Sequence, residues 1–299
     1  IEITIFSLYI TLLDYKTPIE IEDFKFEELK GKNLFGGPKC DFFNEDAEFN
    51  DIFKNQVSLD FIIGNPPWGK VLKSNYIAYI TKRNLKEQNH QKKEDNLLNK
   101  VSRKCDLQIG NKEIAQAFLV RVSDFTDIER KTKSALIVTG KCLYNSDETT
   151  KKWRQYFLSN FSISQVVELS CVNNKIVGGN QIFEGARQSA AIIFFQPYSE
   201  IAPIADNIIT HITIKPNRFF NYFRTIVIEK HDIKHILQTN FIERFGGNDW
   251  LWKILLHGNI LDFYFMSRLK NEFDALGEMM EKFQLQFKGG LKFKDTNSK

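Results

Sequence analysis

The sequence predicts an α/β protein built on an open, mostly parallel sheet whose last strand runs antiparallel. Three observations carry that expectation. Short apolar, β-branched runs recur at Leu59–Ile63, Ser134–Thr139, Ser164–Leu169 and Ser189–Phe195. Helical patterns separate the first three runs, which suits a parallel sheet covered on both faces. No helical pattern separates the last two, which suits an antiparallel return.

Ile1–Leu13 opens the chain with Ile1, Ile5, Leu8 and Leu12 at helical spacing, one face of an amphipathic helix. A mixed segment follows over Asp14–Gly37, and Asn33–Phe35 and Cys40–Phe43 are candidates for a sheet strand and its edge. After the strand at 59–63 comes a polar insertion over 70–112. Glu113–Phe125 carries Ile114, Ala117, Phe118, Val122 and Phe125 on one helical face. Thr149–Leu158 reads as a helix with Asp147 as its cap. Gly178-Gly179-Asn180 marks a tight loop before the last strand. Beyond Pro197 the aromatic residues cluster without a βα rhythm, so a boundary is expected near 197–206, between a catalytic domain (1–196) and a second unit (197–299).

Composition bounds the function. The 299 residues are 42% hydrophobic and 26% charged, an ordinary globular balance. No apolar stretch approaches the roughly 20 residues of a membrane span, and the first residues lack the basic segment and cleavage site of a signal peptide. Cys40, Cys105, Cys142 and Cys171 are scattered, which argues against a zinc site or a disulfide framework and fits a reducing cytoplasm. The net charge is only +4, yet residues 70–112 alone carry +7. This block, with Lys70, Lys73, Lys82 and Arg83 next to Tyr76 and Tyr79, is a candidate for phosphate contacts with DNA; a solvated insertion is the competing role.

Residues 60–69, Asp-Phe-Ile-Ile-Gly-Asn-Pro-Pro-Trp-Gly, say most about chemistry. Pro66 and Pro67 stiffen the turn after the strand, at the sheet edge where ligands of open α/β sheets bind. Asn65 and the Pro66 carbonyl offer two acceptors, and Trp68 offers a flat apolar face. Together they suit a planar ring carrying an exocyclic amine.

Asn-Pro-Pro-Trp after such a strand resembles the catalytic motif of N6-adenine DNA methyltransferases, with their Rossmann-like class I sheet. The order of motifs over residues 1–196 resembles the methyltransferases of type IIG restriction–modification systems; residues 207–299 resemble the linker and start of a target-recognition domain only loosely. The resemblance implies S-adenosylmethionine as cofactor, double-stranded DNA as partner, and Asn65, Pro66, Pro67 and Trp68 as the catalytic turn. It implies that Trp68 and Phe183 stack on a flipped adenine. It also implies that Asp41 and Phe42 bind the cofactor adenine and that Phe118 lines it, although core packing competes for Phe118 and for Phe183.

Two features of that family are absent: the glycine-rich loop and the ribose-binding acid that precede its opening helix. The chain also begins with Ile inside a helical pattern, so it reads as an internal fragment, expected to bind cofactor poorly by itself. Two other functions stay open. One is methylation of a protein glutamine or an RNA base, which uses a similar turn. The other is a non-catalytic DNA-binding relic.

Overall fold

A computed structural model describes residues 2–37, 39–51, 59–69, 75–84, 107–127, 129–173, 188–198, 204–215, 223, 225–244 and 249–285. Its centre is a six-stranded sheet. The strands are β1 (Phe61–Gly64), β2 (Lys133–Thr139), β3 (Phe161–Glu168), β4 (Ala190–Pro197), β5 (Ile208–Thr213) and β6 (Ile233–Leu237), in the spatial order β1-β2-β4-β3-β5-β6. β1 pairs parallel to β2 and β3 parallel to β5, whereas β4 runs against β2 and β3, and β6 against β5. Four strands therefore share one direction. The expected antiparallel return is β4, which enters between β2 and β3.

The helices are α1 (Glu2–Asp14), α2 (Pro18–Glu22), α3 (75–84), α4 (Ile114–Val122), α5 (Lys141–Tyr144), α6 (Glu148–Asn160), α7 (Asp249–His257), α8 (Ile260–Glu272) and α9 (Leu276–Lys282). α6 starts where the sequence places its cap: Asp147 accepts from the Thr150 amide at 2.9 Å, satisfying one of the orphan donors of a first turn.

Cross-strand partners share a face, so the register defines one row across the sheet: Leu136, Ile193, Val166, His211, Lys234. Its apolar half packs in one core with Trp153, Tyr156 and Phe157 of α6 and Leu251, Trp252 and Leu255 of α7. At its polar end Lys234 Nζ donates to Thr213 Oγ1 at 2.8 Å and to the Leu255 carbonyl at 2.7 Å. Burial lowers the Lys234 amine to about 8 and holds His211 neutral, down to about 3.

Three sequence expectations need correction. Residues 33–35 and 40–43 form no sheet strand. The Asp41 carboxylate accepts the Phe43 amide at 2.9 Å, closing a side-chain turn that competes with a ladder. The insertion at 70–112 is not wholly a polar surface either. Helix α3 buries Tyr76 and Tyr79 against Phe43, so these rings are core and not partners of nucleic acid.

Nor does the packing break near 197–206. β5 and β6 extend the sheet beyond β3, and Ile209, Ile236 and Trp252 join the core that contains Val138 and Ile193. Buried Gln238 stitches the two regions together, donating to the Leu158 and Phe161 carbonyls at 2.6 Å each and accepting from the Ile163 amide at 3.0 Å.

The opening helix forms as expected, but none of its described residues is buried, and Ile3 and Phe6 are 83% and 67% exposed. β1 is an edge strand, with Phe61 and Ile63 exposed. Among the described residues, no helix is long and apolar enough to cross a membrane.

Candidate active site

Because β1, β2 and β3 run the same way, their C-terminal ends share one sheet edge, and β4 begins there. That edge carries Asn65–Gly69 after β1, Gly140 and Lys141 after β2, and Leu169 and Ser170 after β3. The Gly140 amide donates to the Ser189 carbonyl at 2.8 Å and the Leu169 amide to the Ala190 carbonyl at 2.9 Å, closing the edge.

The Asn-Pro-Pro-Trp turn is anchored at its C-terminal end by two contacts. Asn65 and Pro67 are exposed and Pro66 is buried. The Trp68 indole N–H donates to the Ile137 carbonyl at 3.3 Å, and its half-buried ring packs with Leu169, Val172, Ala190 and Ile214. Gly69 sits at φ +127°, where a side chain would be strained, and its carbonyl accepts the Ile114 amide at 3.1 Å. The turn is thus tied to β2 on one side and to the start of α4 on the other.

One helical turn along α4, about 6 Å of axial rise, lies Phe118. Its ring is stacked on Phe42, with centroids 4.7 Å apart and planes 4° from parallel. The structure therefore brings Asp41, Phe42 and Phe118 together, from segments that are distant in sequence. At 4.7 Å no third ring fits between the pair, so the two phenylalanines form one continuous wall.

Of the basic residues, Lys82 and Arg83 lie on α3 and are already engaged. Lys82 pairs with Glu45, and Arg83 pairs with Asp124 at 2.5 Å. Lys70, Lys73 and Phe183 lie outside the described residues.

Sequence reasoning missed two buried carboxylates at this edge. Glu113, fully buried before α4, lies 3.4 Å from Lys141 Nζ and accepts from Thr139 Oγ1 at 3.5 Å. Glu168, the last residue of β3, accepts from the Ser170 amide at 3.0 Å and from the Tyr144 hydroxyl. Both stand inside an apolar helix or strand pattern, where an acid gives no signal until the fold shows which end meets the ligand edge. Burial pushes the Glu168 carboxyl up to about 7, against the hydrogen bonds from Ser170 and Tyr144.

This shift has a sign that can be measured. The folded state holds the proton more tightly than the unfolded chain, whose value is 4.5. The stabilisation is therefore complete below pH 4.5 and is lost as the pH rises to about 7. At about 1.4 kcal/mol per unit the loss is on the order of 3 kcal/mol. Urea unfolding of the wild type and of Glu168→Gln should give a difference that moves in favour of the variant between pH 5 and about 7; a flat difference would rule out the buried protonated acid.

The model of the Eco57I restriction-modification methylase family matches residues 1–175. The chain belongs to that family. As an Eco57I-family chain it is similar in structure to the type I restriction-modification methyltransferase subunit from Streptococcus thermophilus, with 11% identity, 70% of this chain and 40% of that one covered, and a TM-score of 0.43. It is also similar to the EcoKI M protein, at 11% identity, 78% and 53% coverage and a TM-score of 0.37. For the type IIG restriction endonuclease BpuSI the values are 10%, 64% and 20%, and 0.37. The chain thus spans between a fifth and about half of these proteins. A search of curated proteins gave no match.

Proposed function

We propose that this Eco57I-family chain is the catalytic part of an S-adenosylmethionine-dependent methyltransferase that modifies N6 of a flipped adenine in double-stranded DNA, within a restriction–modification or phage-defence system. The observation that carries the reading is the Asn65–Trp68 turn, exposed at Asn65 on the ligand edge of the sheet and anchored to β2 and α4.

The lone pair of an adenine amine is delocalised into the ring, so the nitrogen is a poor nucleophile. The Asn65 amide oxygen and the Pro66 carbonyl accept its two hydrogens and favour a pyramidal nitrogen. The turn is rigid, so orientation alone contributes several kcal/mol to the rate. Trp68 is assigned to one face of the flipped base and Phe183 to the other. Asp41 has one carboxylate oxygen on the Phe43 amide, and its other oxygen is assigned to an adenine amine, with the Phe42–Phe118 wall beside it. When bound, the cofactor supplies the electrophilic methyl group. Lys70, Lys73, Lys82 and Arg83 are assigned to DNA phosphates, which requires Lys82 and Arg83 to exchange a carboxylate for a phosphate.

Residues 1–196 are assigned to the catalytic part and residues 197–299 to a linker and the start of target recognition, with β5, β6 and α7 of the second stretch packed on the catalytic sheet. The test is mass spectrometry of nucleosides from DNA incubated with the intact protein and labelled cofactor. Label in N6-methyladenine supports the reading. Label in cytosine, in RNA or in protein glutamine, or no transfer at all, refutes it.

A further inference from the structure

Arg121 lies on α4 three residues after Phe118 and is 3% exposed. Each part of its guanidinium meets a different segment. Nε donates to the Phe42 carbonyl at 3.0 Å, Nη1 to Asp124 Oδ2 at 2.7 Å and Nη2 to Asn50 Oδ1 at 2.8 Å. The cation lies 4.5 Å from the ring centroid of Phe125, 5.2 Å from Tyr79 and 5.7 Å from Phe42. Asp124, which neutralises it, also accepts from the Tyr79 hydroxyl at 3.0 Å and from Arg83.

Burying a guanidinium is costly, and an apolar side chain would fill aromatic surroundings without that cost. What an apolar chain cannot do is hold three separate acceptors in one plane. Two of those acceptors bracket the segment from Phe42 to Asn50, most of which is built of turns. The third docks α3 through Asp124. The clamp therefore fixes the backbone of Phe42, and with it the angle at which that ring meets Phe118.

We propose that Arg121 is a positioning residue for the adenosyl group: it clamps residues 42–50 to α4, so that Phe42 lies flat on Phe118 with Asp41 beside it. The inference rests on the reading of this wall as the site of the cofactor adenine.

The test uses the intact protein and isothermal titration with S-adenosylmethionine, beside thermal unfolding and DNA binding. Arg121→Lys keeps the charge but loses the fork, and is expected to weaken cofactor binding about tenfold, as is Phe42→Ala, while DNA affinity holds. Asp124→Asn, at the solvent side of the network, is expected to weaken it about two- to threefold. A role in stability alone would lower the unfolding temperature and leave the cofactor Kd of the folded protein unchanged. If Phe42→Ala weakens binding and neither Arg121→Lys nor Asp124→Asn does, the positioning role is overturned and the wall stands. If Phe42→Ala has no effect, both fall. Should Arg121→Lys not fold, Asp124→Asn decides: an unchanged cofactor Kd overturns the proposal.

Discussion

Asn65→Ala is expected to lower methyl transfer by roughly 100- to 1000-fold while leaving DNA affinity within about twofold. The size follows from what the side chain does. Positive charge develops on the amine as the new bond forms, and a fixed acceptor dipole beside it acts as preorganised electrostatic stabilisation. Removing one such group costs on the order of 3–4 kcal/mol in comparable sites. Asn65 is exposed and caps no helix, so its loss leaves the fold intact. Pro66 and Trp68 keep the turn in place through its burial and the Ile137 hydrogen bond. DNA binding holds because backbone phosphates supply most of the affinity. Single-turnover methylation and a gel-shift titration on the same variant separate the two effects. Near-normal transfer by Asn65→Ala would sink the amine-acceptor mechanism.

Trp252→Ala is expected to destabilise the protein by about 3–5 kcal/mol, the usual cost of deleting a large buried aromatic side chain. Trp252 is 1% exposed and its ring lies 4.3 Å from that of Phe241. It lines one small cavity with Leu143, Trp153, Phe157, Ile163, Val166 and Ile193, all of which precede residue 197. A loss of this size consumes much of the 5–15 kcal/mol that holds a typical domain. Denaturant unfolding followed by circular dichroism measures it, and a chain ending at Pro197 should show no cooperative transition. If Trp252→Ala cost less than about 1 kcal/mol, the core would not be shared across that position.

The reach of this core is where reading the sequence fell short. β5 and β6 are short, and Ile208–Thr213 alternates Ile and Thr around His211, a pattern that a run of apolar residues does not announce. Lys234 is the second residue of β6 and looks like a surface residue until the Leu255 carbonyl and the Thr213 hydroxyl are seen to accept its hydrogen bonds. Tyr76 and Tyr79 misled in the opposite direction. They sit among lysines in the sequence, yet their period on α3 turns both rings onto Phe43.

The sequence by itself determined the four strands from Leu59 to Phe195, the antiparallel return of the last, the cap at Asp147 and the turn at Asn65–Trp68. All of these are local: a short apolar run, a capping side chain and two prolines act over a few residues and leave their mark in order along the chain. Only the tertiary structure decided that Phe42 lies flat on Phe118, that Arg121 holds Phe42 and Asn50, and that Glu113 and Glu168 are buried at the ligand edge. It alone showed that β5, β6 and α7 complete the same core. Those facts depend on contacts between residues tens of positions apart, and on a burial that changes what a charge costs; neither leaves a periodic trace in the sequence.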